Sequence, residues 1–187
     1  MEIKYIPKSE ITEAQQEMLN GIERTCFGLS STEIESEDEG HPFGAVELGA
    51  FLLFDDEKIV GNAYLYKRLT EYDGQEYYLG GFGGLAVMPA NRGKGYARRL
   101  AEETLKKAYD IGVDVACLFT SKDETIYRFY ERLGFAYLNR RGYYIDSLHK
   151  EAFMDDVMIL GLKNKELAEK ILATNHKFQY GKEEGCW

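Results

Sequence analysis

The 187-residue chain predicts a mixed α+β fold in one domain, residues 1–187, and three observations carry that reading. Three consecutive strand patterns joined by tight turns precede Pro89, which implies an antiparallel meander. One of the turns holds an Asp-Gly pair, Asp73-Gly74, the signal of a two-residue hairpin. Beyond Pro89 the apolar period changes to helical, and the apolar run VDVACLF (Val113–Phe119) then sits between two amphipathic stretches, as a buried strand does in a layered domain.

The elements follow in order. EIKYI reads as a first strand. Thr12 and Gln15 stand at capping-box spacing, and Ala14, Met18, Ile22 and Cys26 recur every four residues, so a helix is expected there. An acidic loop with the breaker HPFG follows. LGAFLLF, IVGNAYLYKRL and EYYLGGFGGLAVM are the three meander strands. From about Gly93 a helix is expected with Ala97, Leu100, Ala101, Leu105 and Ala108 on its apolar face, stopping at Gly112. DETIYRFYERL is a further helix ended by Gly134. FAYL, GYYI and DVMILGL are strands, and KELAEKILATN is a last short helix.

Composition narrows the function classes. Hydrophobic residues make up 44% and charged residues 29%, with a net charge of -9, as in an ordinary soluble globular protein. No basic region followed by an apolar run opens the chain, and no stretch is long and apolar enough to span a bilayer. Three widely spaced cysteines, Cys26, Cys117 and Cys186, form neither a disulfide framework nor a zinc pattern, so free thiols, a cytoplasmic location and no metal are expected. Between Thr25 and Glu57 there is no Lys or Arg, while Glu33, Glu35, Glu37, Asp38, Glu39 and others are acidic. Such a surface disfavours nucleic acid, whose phosphates need Lys and Arg, and suits a cationic partner or simply solvation.

Positive charge gathers instead in PANRGKGYARRL. Gly81, Gly83 and Ala86 match a dinucleotide fingerprint in spacing, but Val87, Met88 and Pro89 continue a strand where that motif requires a helix. A nucleotide P-loop fails because no Ser or Thr follows Lys94. What remains is Arg92-Gly-Lys-Gly-Tyr-Ala97 between a strand and a helix. Its glycines bare backbone N–H groups, and Arg92 and Lys94 add charge, which together suit a phosphate or pyrophosphate.

LAVMPANRGKGYARRL resembles the acetyl-coenzyme A signature of the GCN5-related N-acetyltransferases (GNAT), R/Q-x-x-G-x-G/A opening a helix after a strand. FYERLGF resembles the family's second landmark, Y-x-x-x-G-F. The resemblance implies a GNAT fold, in which a central, mostly antiparallel mixed sheet is flanked by helices and splayed between its fourth and fifth strands. It also implies an enzyme that passes an acetyl group from acetyl-CoA to a primary amine, without a covalent enzyme intermediate. Leu85, Ala86 and Val87 would hold the pantetheine arm through their backbone. The amides of Arg92, Gly93, Lys94, Gly95, Tyr96 and Ala97 would hold the pyrophosphate, and Tyr130 would serve the departing sulfur. Many relatives carry a Glu on the strand ahead of the signature, where this chain has Gly81, Phe82, Gly83 and Gly84. The base is therefore open among Glu76, Asp155, Asp156 and the terminal carboxylate of Trp187.

The layout of the whole chain, including the closing KEEGCW, is similar to the aminoglycoside 2′-N-acetyltransferases. That likeness would place Glu33, Glu35, Glu37, Asp38, Glu39, Asp155, Asp156, Glu184 and Trp187 around a polyamine acceptor, although Gly185 stands near where that group has an Asp. A homodimer is the expected assembly. The alternatives are a protein or peptide N-acetyltransferase and a non-catalytic acyl-CoA-binding module.

Overall fold

The computed structural model of the chain describes residues 1–28, 46–120, 123–146 and 149–184. The acidic positions Glu33, Glu35, Glu37, Asp38 and Glu39, and the terminal Trp187, lie outside the described residues. The chain runs β1 (Glu2–Pro7), α1 (Glu13–Phe27), β2 (Val46–Asp55), β3 (Lys58–Tyr72), β4 (Gln75–Val87), α2 (Tyr96–Asp110), β5 (Val115–Phe119) and α3 (Glu124–Glu131). It continues with β6 (Ala136–Tyr137), β7 (Gly142–Ile145), β8 (Glu151–Met154), β9 (Val157–Gly161), α4 (Lys165–Ala173) and β10 (Phe178–Glu184).

Local chemistry sets most boundaries. Thr12 and Gln15 close a reciprocal capping box at the start of α1, and Gly28 ends it in the left-handed region. Asp73 and Gly74 both take positive φ, 50° and 78°, as a two-residue hairpin between β3 and β4 requires. Asp123 caps α3 by accepting from the Thr125 and Ile126 N–H groups. In α2 the inward face holds Leu100, Ala101, Thr104 and Ala108, all buried, with Leu105 half-buried at its border, so Thr104 joins the expected apolar face. The Thr104 hydroxyl is satisfied by donating to the Leu100 carbonyl at 2.8 Å.

The described residues divide into two compact units, with β3 and β4 running through both. In the first, comprising residues 1–28, 47–66 and 82–106, the strand order is β1-β2-β3-β4. β1 pairs antiparallel with β2 from Glu2↔Phe54 to Pro7↔Gly49. Leu19 and Ile22 of α1 pack on Ala50, Leu52, Ile59, Tyr64 and Ala86, burying the apolar face of that sheet.

In the second unit β4 pairs parallel with β5, and β5 and β6 pair antiparallel with β9. A separate three-stranded sheet has the order β10-β7-β8. Its core joins Tyr72, Tyr77, Leu79, Val115, Cys117, Leu138, Val157 and Ile159 with Phe178 and Tyr180 of β10 and the inner face of α4. β8 and β10 are absent from the sequence-based element list. β10 pairs in parallel with β7, far away in the chain, so no hairpin turn announces it. Its signal is the alternation of Phe178 and Tyr180, both fully buried. FAYL forms only a two-residue strand, Ala136–Tyr137. Among the described residues no helix is long and apolar enough to cross a membrane, and no cluster of three His, Cys, Asp or Glu could hold a metal.

If β10 is an integral layer of this core, Phe178→Ala should destabilise the protein by about 3–5 kcal/mol. A urea denaturation midpoint equal to that of the unsubstituted protein would show that β10 contributes no packing.

Candidate active site

β4 carries one residue more than β3 can match. Counted back from the two-residue turn, Val60 should stand opposite Val87. Instead the Met88 N–H donates to the Val60 carbonyl at 2.8 Å, so the register has slipped by one. Gly84 absorbs the slip as a β-bulge with φ of 58°, a conformation that costs an L side chain about 1–2 kcal/mol. A Cβ there would also lie 2.4 Å from the Tyr64 ring. Tyr64 is fixed in turn by donating its hydroxyl to Glu23 of α1 at 2.9 Å. The Gly84 carbonyl accepts from Asn62 Nδ2 at 2.8 Å.

Beyond the bulge the alternation of an antiparallel ladder decides which backbone groups are available. Because Met88 turns its N–H to β3, Ala86 does the same, and the groups of Val87 and Leu85 point to the opposite edge of β4. The β4–β5 ladder consists of Leu79↔Val115, Gly80↔Ala116 and Gly81↔Cys117, so β5 supplies no ladder partner to Phe82–Val87. Of the three residues expected to hold an extended ligand arm, Leu85 and Val87 present their backbone outward. Ala86 spends its own on β3.

The loop after β4 opens α2. Gly93 and Gly95 take φ of 76° and 78°, and a Cβ at either would meet only open space. Gly95 accepts the first helical bond, from the Arg99 N–H at 3.2 Å. Among the described residues no group accepts from the backbone N–H of Gly93, Lys94, Gly95, Tyr96 or Ala97. Glycine conformations and the helix dipole thus leave a cup of donors at an exposed helix start, which fits a pyrophosphate. Lys94 is exposed beside it. Arg92 also has contacts within the chain. Its Nε donates to the Val87 carbonyl at 2.8 Å, and its Nη2 lies 3.6 Å from the sulfur of Cys26. The guanidinium braces the loop against the end of β4.

Tyr130 belongs to the second unit. It lies on α3, half-buried, with its ring against Phe129 and Phe135 at 5.1 and 5.9 Å. Loss of solvent pushes its phenol up to about 12, so it stays protonated at neutral pH and can donate a hydrogen bond. Cys117 is fully buried in the core. Asp155 pairs with Arg141 at 3.2 Å, and Asp156, at φ of 61° in the turn between β8 and β9, accepts from the Tyr137 hydroxyl at 2.9 Å. Both carboxylates therefore have structural duties. Glu76 is exposed near the hairpin turn, nine residues from Leu85, or about 30 Å along an extended strand.

Asn62, Tyr64, Glu23 and Cys26 were not singled out for the site from sequence. The available signal was the glycine run itself, since Gly within a strand marks a bulge or a close backbone approach.

Two outcomes follow. Gly84→Ala should cost about 2–4 kcal/mol, combining left-handed strain with the Tyr64 clash, and part of the loss should return in a Tyr64→Ala background. Additive effects in the double variant would remove the clash from the explanation. The Tyr130 phenol should titrate near 12, whereas an unfolded tyrosine ionises near 10. Between those values the unfolded chain has lost more protons, so stability is full below about pH 10 and falls as pH rises toward about 12. Tyr130→Phe should flatten that part of the stability profile; an unchanged alkaline slope would refute the shift.

Comparison with known proteins agrees with this geometry. The acetyltransferase (GNAT) domain family matches residues 8–138. A GNAT family N-acetyltransferase from Escherichia coli, solved with CoA, superposes with a TM-score of 0.63 at 19% identity, covering 95% of this chain and 87% of that one. The ribosomal-protein-S18-alanine N-acetyltransferase from Escherichia coli gives 0.56 at 19% identity, over 86% and 94% of the two chains. A GCN5-related N-acetyltransferase from Kribbella flavida gives 0.57 at 20% identity over 75% of this chain, which spans only 34% of that protein's length. A comparison with curated protein sequences gives no match. With the glycine-opened helix and the family match in agreement, this chain belongs to the acetyltransferase (GNAT) domain family.

Proposed function

We propose that residues 1–187 act as one N-acetyltransferase domain, which delivers the acetyl group by direct attack to the primary amine of a cationic small molecule, an aminoglycoside being the leading class. The observation that supports the cofactor half of this reading is the pairing of two exposed donor sets on adjoining segments. Leu85 and Val87 turn their backbone to the edge of β4 that β5 leaves unladdered, and the loop from Gly93 to Ala97 opens its N–H groups. An extended arm ending in a pyrophosphate satisfies both. Bound there, acetyl-CoA supplies an activated thioester.

The residues of the chain then have separate tasks. Leu85 and Val87 hold the arm as an added strand would, and the loop amides with Lys94 hold the anion. Tyr130 keeps its proton at neutral pH and donates toward the departing sulfur. The acceptor enters as an ammonium and must lose a proton before its nitrogen can attack. For the acceptor half the support is electrostatic: the net charge of -9 and the acidic run from Glu33 to Glu39 favour a cation. A basic peptide would meet the same charge, so the test must include both classes.

Incubation with acetyl-CoA and a panel of aminoglycosides, simpler polyamines and basic peptides, read by thiol release and product mass, should give product first with the small polycations. Preference for peptides would move the acceptor class. Tight CoA binding with no product from any amine would leave only an acyl-CoA-binding role. Tyr130→Phe should lower kcat roughly 10²-fold with little change in CoA affinity. Gly95→Ala should weaken CoA about 10-fold by calorimetry, through left-handed strain in the loop. Unchanged affinity would place the pyrophosphate elsewhere.

A further inference from the structure

Two neighbouring glycines of β4 have different reasons for being glycine. Gly84 is required by the fold, through its positive φ and the Tyr64 ring. Gly83 is not required in this way. Its φ lies outside the left-handed region, and among the described residues a Cβ there would meet only the Tyr66 ring, at 3.5 Å, an ordinary van der Waals contact. Gly83 is half-exposed and interrupts an apolar strand that a side chain would strengthen. A strand glycine that neither strain nor crowding demands marks a close approach from outside the chain.

The side chains around that space share one chemistry. Counted from the Asp73-Gly74 turn, Gly83 stands opposite Tyr64, so both present to one face of the sheet. Tyr64 and half-exposed Tyr66 lie there with ring centroids 6.5 Å apart. α1 packs on the same face and brings a carboxylate to it. Leu19, Ile22 and Glu23 fall at i, i+3 and i+4, so Glu23 stands on the inward stripe of the helix beside two buried residues. It accepts from the Tyr64 hydroxyl at 2.9 Å, which fills one of about four acceptor positions on a carboxylate. A carboxylate beside two aromatic rings recognises an ammonium group, by charge and by attraction to the ring quadrupole. Glu23, Tyr64, Tyr66 and Gly83 all belong to the first compact unit.

We infer that Glu23, with the rings of Tyr64 and Tyr66, forms a subsite that holds one ammonium group of a diamine acceptor over Gly83. The subsite rests on the proposed acceptor class. Gly83 precedes Leu85 by two residues, so an acceptor anchored there extends its second nitrogen along β4 toward the course proposed for the cofactor arm. The carboxylate also decides which nitrogen is reactive. A negative charge favours protonation of the nitrogen it touches, so a singly protonated diamine keeps its proton at Glu23. The distant nitrogen is then neutral, with its lone pair available to the thioester. A monoamine has one nitrogen for both places and gains nothing from the anchor. Gly83 stays small because the carbon chain of the acceptor lies across it.

Calorimetry on the CoA-loaded protein provides the first test. Diaminobutane should bind at least about 10-fold more tightly than butylamine. Glu23→Gln removes the charge but keeps an oxygen that accepts from Tyr64, and it should erase that preference. Tyr64→Phe removes the tether but keeps the charge and the ring, and there the preference should persist. Loss of the preference in Tyr64→Phe with none in Glu23→Gln would make Glu23 a structural tether and overturn the subsite. In turnover with acetyl-CoA, the ratio of diamine to monoamine kcat/KM should fall about 10-fold in Glu23→Gln. Gly83→Ala should keep the urea midpoint of the unsubstituted protein while weakening diaminobutane; an unchanged diamine affinity would take the acceptor away from Gly83. Diamine binding through Glu23 without acetyl transfer would sustain the subsite and sink the proposed reaction. Acetylation of diamine and monoamine with equal kcat/KM would do the reverse.

Discussion

Every backbone N–H and C=O that folding removes from water must find a partner, and the ladders of β4 do not supply them all among the described residues. Its ladder with β5 has three pairs and stops at Gly81, while β4 itself continues for six residues to Val87. Ordinary sheets end their edges with charges, prolines or short strands, because an open edge invites association. Here Leu85 and Val87, in an apolar stretch with no charged side chain, keep theirs open and close it only at the end, where Arg92 takes the Val87 carbonyl. This row of polar groups beside a helix start rich in free N–H donors is the observation behind the proposed cofactor site. The extra residue of β4 decides which of its peptides face that edge.

Charge in this protein is best understood by the use of each group rather than by total. Arg92 is the strongest cation of the signature, yet its guanidinium is committed to the Val87 carbonyl and to the vicinity of the Cys26 sulfur. In the proposed site the anion would be met by neutral N–H groups, the dipole of α2 and exposed Lys94. That division has a physical advantage. A guanidinium free to move would bind the anion but would not fix the loop, whereas a braced loop presents its donors already arranged and loses less entropy on binding. Cys26 thereby acquires a place in the architecture of the loop, although its spacing in the sequence marks it only as a face residue of α1.

Legibility from sequence followed the range of the interaction. The Thr12–Gln15 box, the Asp73-Gly74 turn and the α2 stripe are local, and each appears where the spacing puts it. The burial of Thr104 beside half-buried Leu105 is not legible from apolar periodicity, because Thr104 can bury its hydroxyl on the Leu100 carbonyl. β10 was hidden because parallel pairing with β7 has no turn signal, and its acidic end reads as a solvated tail. The bulge was hidden for a different reason. Gly81, Gly83 and Gly84 mark it as a place where a family carboxylate is missing, but only the slipped register at Met88 and the Tyr64 ring explain why position 84 is glycine.

That glycine also bears on the question of the base. A carboxylate on β4 is excluded at position 84 by the Tyr64 ring, Glu76 is about 30 Å along the strand, and Asp155 and Asp156 hold Arg141 and Tyr137. Tyr130 cannot fill the role at neutral pH, since burial keeps its phenol protonated and confines it to donation. In the proposed reaction Tyr130 would donate toward the departing sulfur, and an acceptor amine that is already partly neutral would need no carboxylate base. The proposed polyamine acceptors would lessen the need for a base, because their neighbouring ammonium groups depress one another's pKa. Polyamines have that property intrinsically, and a single isolated lysine side chain does not.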